Sequence, residues 1–316
     1  MTAPATVSWI GYGWETSYAA TATSINKAFG QGVRVTSLSR KNNIEKVFSM
    51  GSRNAQKLAA KRYEGAVSIE HVLANPWIFQ GILGSVTSTA AGTAYDHTFA
   101  EADTIPSFTM DNNIQTSAVR RAQLLGSVVN SATITTAINE LVRVRLDIPF
   151  GDEDFATSSS SKLTESEDIY TFAQGSIEAP NGSTLALVQN FEATLSNSAE
   201  LILGQGSRFA QEQAPKQRDY DGTMTMALQA SVDLLEKFYG SATGPNATVD
   251  ETATMQTTFT NGLTGTNERT IEATWTGVQF DEDSMPQDPT QVIMEDVNFM
   301  MRSLSVVATN YTAVAP

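Results

Sequence analysis

The chain contains no cysteine and only two histidines in 316 residues. The first absence excludes disulfides, thiolate nucleophiles and cysteine-type zinc sites. The second leaves little material for imidazole acid–base chemistry or metal ligation. Charge is scarce too: charged residues make up 17% of the sequence, against roughly 25% in an average soluble protein. The charge present leans one way, 34 Asp and Glu against 20 Lys and Arg, for a net −14. Basic residues never run beyond the pairs Arg40–Lys41, Lys61–Arg62 and Arg120–Arg121, which disfavours a surface that grips phosphate by displacing counterions. An acidic wall past which DNA slides without sticking is compatible with the same balance. No uninterrupted apolar stretch is long enough to span a bilayer. The N-terminal MTAPATVSWIGYGWETSY lacks the basic start and apolar core of a signal peptide. Synthesis in the cytoplasm, with no membrane partner, is the expectation.

What is present is enough apolar material for a folded core, 41% of residues, in a length that suits about two domains. Small uncharged residues replace the missing charge, giving a surface that meets a neighbour without stripping water from many ions.

The chain also repeats itself. A shift of 155 residues lays Val33–Lys61 over Val188–Lys216 without a gap. Within it, GSRNAQKLAAK (51–61) answers GSRFAQEQAPK (206–216), and Asn42/Asn197 and Glu45/Glu200 also coincide. After a small offset, Tyr63-Glu64-Gly65 answers Tyr220-Asp221-Gly222. Each triplet opens a run of period-2 alternation, with Val67 and Ile69 on one face in the first copy and Met224 and Met226 in the second. A short helix is expected after each run. Asn75 caps the first, with Pro76 at its first position and Gly84 at its end; the second spans Ser231 to Gly240. Further strands are expected over Tyr95–Phe99, Ser107–Met110, Leu124–Thr135 and Leu141–Phe150, and in the second half over Thr171–Glu178, Leu185–Leu195, Thr270–Phe280 and Val292–Val307. The reading is a mainly β protein of two tandem sandwich or barrel domains, 1–150 and 169–316, each with one short flanking α-helix. The acidic, serine-rich stretch 151–168 reads as a linker or exposed loop.

Catalytic patterns are missing. His71 falls on an apolar strand face, as a core or interface histidine would, and His97 and Asp96 are adjacent and so point to opposite faces. Gly204–Arg208 is not a nucleophile elbow. The acidic clusters 151–154 and 280–283 lack the alternating ligand spacing of a calcium loop and read as solvated loop charge. No enzyme activity, metal site or cofactor is expected.

Several segments, in order, resemble phage tail tube proteins: GYGWETSYA (11–19), RYEGAVSIE (62–70) with NPWIFQGILG (75–84), DHTF (96–99), IPSFTM (105–110), LGSVVNSATIT (125–135) and YTFAQGSI (170–177). The resemblance implies β domains that close into rings around a DNA conduit and stack into the virion tail alongside other tail proteins. Relatives with one domain form hexamers, so a two-copy chain implies a trimer with pseudo-sixfold symmetry, or alternatively a hexamer. DNA would pass without specific binding. The segments 41–61 and 196–216 are then candidate stacking loops, with Arg53, Lys61, Arg208 and Lys216 as inter-ring contacts; alternatively the shared Gly-Ser-Arg only shapes a turn. The competing reading is a virion decoration or adhesin module on the same sandwich.

Overall fold

In the computed structural model, the described residues are 8–311 apart from 93, 116–118, 157, 159, 180–183, 186, 229–235, 237, 242, 248–252 and 289. The first half supplies β1 (Ser8–Trp14), β2 (Gln31–Lys41), β3 (Ile44–Val47), β4 (Lys57–Ala60), β5 (Glu64–Val72), α1 (Ile78–Leu83), β6 (Gly84–Ala91), β7 (Ala94–Glu101), β8 (Phe108–Gln115), β9 (Val119–Ser127), β10 (Ser131–Ala137), β11 (Arg143–Phe150) and β12 (Asp152–Ala156). The second half supplies β13 (Gly175–Glu178), β14 (Val188–Ser196), β15 (Glu200–Leu203), β16 (Ala210–Ala214), β17 (Asp219–Ala227), β18 (Ala253–Thr260), β19 (Thr270–Ser284), β20 (Met294–Met301) and β21 (Ser303–Tyr311). The protein is mainly β, as its alternating, Thr- and Val-rich runs require.

One long sheet crosses both halves in the order β2-β5-β11-β10-β14-β17-β20-β19. Its seam is the antiparallel pairing of β10 with β14, from Ser131↔Ser196 to Ala137↔Asn190. The covering layers also follow one order, β1-β8-β9-β12 in the first half and β13-β18-β19-β21 in the second. The β6–β7 hairpin of the first half does not stay with its own layer. It extends the second-half layer by pairing β7 with β21.

Matching positions repeat in detail. The ring of Phe150 fills the space beside Gly65 and that of Phe299 the space beside Gly222, each pair being direct cross-strand partners. Ser68 Oγ donates to Asp147 and Thr225 Oγ1 to Asp296, at 2.5 and 2.7 Å. Gly126 and Gly277 both take left-handed backbone, φ 61 and 65, which lets the chain turn from one layer to the other. After Gly126 the ladder breaks, so the run expected as a single strand over Leu124–Thr135 is β9 and β10. After Gly277 it does not, and β19 continues for fifteen residues through both layers.

Other boundaries move as well. Val292–Val307 divides into β20 and β21 around Arg302, and 171–178 opens with a 3-10 turn before β13. The acidic run at 151–154 is not an exposed loop: most of it lies in β12, paired with β9, and Glu153 has a side chain only 5% exposed. The run at 280–283 lies within β19. Helix α1 begins close to its expected place, with Asn75 Oδ1 accepting from the Trp77 amide and Gly84 ending it at φ 109. Ile78 and Ile82 are buried in the core. The second expected helix, 231–240, falls largely outside the described residues.

Candidate assembly interface

Alternation gives the long sheet two unlike faces. Val67, Ile69, Leu146, Phe191, Met224 and Phe299 point into the core. The opposite face is open and polar. In the first half it carries Glu64, Glu70 and Asp147 together with Arg34, Lys41, Arg143 and Arg145, and Arg143 bonds Glu70 at 2.9 Å. In the second half it carries Glu192, Asp219, Asp221, Glu282 and Asp296, with no Lys or Arg among the described residues of those strands.

Among the described residues, no strand pairs with the outer edge of β2 or with the outer edge of the last residues of β19. At one end the open edge of β2 lies beside the start of β1, whose own edge is bridged by Lys27 only at Tyr12, and a groove of about 800 Å³ lies between them, lined in part by Trp9, Ile10, Val35, Ile114 and Leu163. The matching groove beside β13 and β14 is smaller, about 360 Å³, because Thr136, Ala137 and Ile138 at the end of β10 form one of its walls. At the other end, the last residues of β19 pair with β20 on one side only. Unpaired edges of this kind template the addition of another chain.

Two hairpins, β3–β4 and β15–β16, project as separate two-stranded sheets. Their equivalence extends to the backbone. Asn43 and Ser198 share φ 46, and Gly51 and Gly206 have φ 85 and 90. Ser52 and Ser207 each accept from the amide two residues on, at Asn54 and Phe209. The shared Gly-Ser therefore builds the tip turn. Lys61 pairs with Glu45 and Lys216 with Glu200, the same bridge in both hairpins, and Lys216 holds the Glu200 carboxyl below its usual range. Arg208 reaches back to Asn42 and lies over the Phe209 ring at 5.7 Å, whereas Arg53 is exposed at the first tip. The four basic residues thus sit on one pair of hairpins. The sequence reading passed over their apolar neighbours: Ile44, Phe48 and Leu58 are at least 60% exposed, and Met50 fully so. The available signal was a run of large apolar residues with no buried partner face.

Neither histidine is placed for catalysis. His71 is fully buried, its Nδ1 3.2 Å from the Val72 carbonyl, and burial pushes its pKa down to about 4. His97 bonds Ser88 directly across the β6–β7 ladder at 2.9 Å but is sealed beneath Trp77 and Tyr311.

A family model described as phage tail tube protein matches residues 8–301. The chain belongs to that family. It is therefore a structural protein of a virion tail, and the open edges and projecting hairpins are to be understood as parts of a tail tube subunit. No curated protein matches the chain. No helix among the described residues is long and apolar enough to cross a membrane.

Proposed function

We propose that this tail tube protein closes into rings of three chains that stack into a conduit for DNA ejection. Each chain would contribute two copies of one β domain, 1–150 and 169–316, joined through 151–168. The observation that carries this reading is the seam. Within the chain, the last strand of one four-strand set (β10) pairs with the first strand of the next (β14). The end of the second set and the edge of β2 are the same two kinds of strand, each left without its partner. Repeating the seam between chains is a heterologous contact, and one that closes gives a ring. The uncovered β1–β2 groove would then receive the next chain as its smaller counterpart receives Thr136–Ile138.

Magnitude favours three chains over six. Eight strands per chain at about 4.8 Å spacing and roughly 40° tilt give a three-chain barrel about 45–50 Å across at the backbone. Six chains would double that width, far beyond what a duplex needs. With the core face outward, the polar face lines the bore. Its second-half strands, bearing carboxylates alone, would repel phosphate and keep DNA mobile.

Stacking is assigned to the two hairpins. Exposed Ile44, Phe48, Met50 and Leu58 would be covered by the next ring, with Arg53, Lys61, Arg208 and Lys216 meeting its acidic residues. Negative-stain and cryo-electron microscopy of the purified protein test the whole reading. Tubes of uniform width with threefold rings and an acidic bore are expected. Discrete monomers or small closed particles would favour a decoration or adhesin role instead.

A further inference from the structure

The joint between chains carries charges that the internal seam lacks, an inference that rests on the ring reading above. On the buried side of the seam, one row runs Leu146–Ala132–Leu195 and the next Val144–Ile134–Ala193. All six are buried. Register transfers these places to the free ends of the sheet. Laying Gly65–Phe150 over Gly222–Phe299 puts Glu295 where Leu146 stands. Arg40 is paired with Gly65 as Ala193 is with Gly222, so Arg40 stands where Ala193 does. The two free ends thus replace apolar seam residues by a carboxylate and a guanidinium.

Glu295 is not placed as a solvated surface charge, while Arg40, its side chain 34% exposed, stays open to a further partner. Glu295 is 5% exposed on the core face of β20, across from Met226 on β17 and close to Asp283 on β19. Asp283 Oδ1 is buried without a hydrogen-bond partner. No Lys or Arg among the described residues forms an ion pair with either carboxyl. Burial pushes both carboxyls up, and the like charge of Asp283 raises Glu295 further. Two carboxyls gathered on an apolar face without a cation are costly. At the opposite end, Arg40 is held by Glu153, which takes bonds from its Nε and Nη2, and Tyr63 Oη braces Glu153 at 2.9 Å. A guanidinium has five N–H donors, so Glu153 leaves several of them for a second carboxylate.

We propose that ring closure is made by Arg40 of one copy reaching Glu295 and Asp283 of the next. The residues after Ser284 would take the place of β10, leaving two strand spacings, about 10 Å, between the backbones of Glu295 and Arg40. Extended Arg and Glu side chains cover that gap, and the one-row offset is within diagonal reach. The charges also set polarity: two Glu295 ends repel, two Arg40 edges repel, and only end-to-start contact attracts.

The test uses full-length protein and compares wild type with E295R, with R40E/E153Q, and with the swapped E295R/R40E/E153Q; E153Q removes the repulsion that R40E would otherwise meet in its own chain. Ring content is read by analytical ultracentrifugation and negative stain, and folding by circular dichroism melting. We expect each unswapped variant to fold but to lose rings at least tenfold, and the swapped variant to regain them. Rings at wild-type level in the unswapped variants, or no recovery on swapping with folding intact, would overturn the joint while leaving the ring reading standing. A wild type that never forms rings would remove both.

Discussion

Gly65 and Phe150 face one another across β5 and β11, with the phenyl ring occupying the volume that any side chain at position 65 would need. Gly222 and Phe299 repeat the arrangement. Gly65→Ala and Gly222→Ala each force the ring from its rotamer in a packed core, at a cost of about 1–3 kcal/mol. Urea denaturation should show that loss for both. An alanine at either site without effect would mean that the ring has room to move.

His71 makes stability depend on acidity. Its pKa is held at about 4 by burial, whereas an unfolded histidine titrates near 6.5. As pH falls below that value, the unfolded chain takes up a proton that the native site refuses, so stability drops with pH. From these pKa values, the site contributes a loss of up to about 2 kcal/mol between pH 7 and pH 5. Denaturation curves at the two pH values should show His71→Leu falling less steeply than wild type. Parallel slopes would remove histidine as the cause.

Tyr170 and Tyr311 join the segment after β12 to the last strand through hydroxyls 2.5 Å apart in the core. Burial pushes the Tyr170 hydroxyl up to about 12 and raises that of Tyr311 well above its ordinary value. Tyr170→Phe strands one buried hydroxyl, at about 1–3 kcal/mol. The double Tyr170→Phe/Tyr311→Phe variant should therefore cost less than the sum of the two single changes in a double-mutant cycle. Strict additivity would show that the hydroxyls are not coupled.

Lys61 and Lys216 bridge within exposed hairpins, where solvent screens the pairs. Lys61→Ala/Lys216→Ala should leave the melting temperature of the chain essentially unchanged while shortening tubes seen by negative stain. Tubes of normal length would take these residues out of the ring-to-ring contact.

Much of this was legible in the residues. The absence of cysteine, the scarcity of histidine and the acidic bias were visible at once, and so was the echo of 33–61 in 188–216. The tip turns explain that echo, since Gly51/Gly206 and Ser52/Ser207 perform one task twice. Less legible was register within the echo. Relative to the strands that follow, β2 and β14 are displaced by two residues from the gapless alignment, so Arg40 matches Ala193 rather than Leu195. A two-residue slip preserves every inward and outward position and so leaves no trace in the pattern.

Sequence by itself determined the inward faces around Val67 and Ile69 and around Met224 and Met226, the stop of α1 at Gly84, and that the chain holds little catalytic equipment. Only the tertiary structure decided which strands are neighbours: that β6–β7 joins the second-half layer, that 152–156 is a strand, and that Glu295 and Arg40 stand at opposite free ends of one sheet. Alternation is a local consequence of backbone geometry, whereas pairing is a choice among distant edges, settled by packing that no single segment encodes.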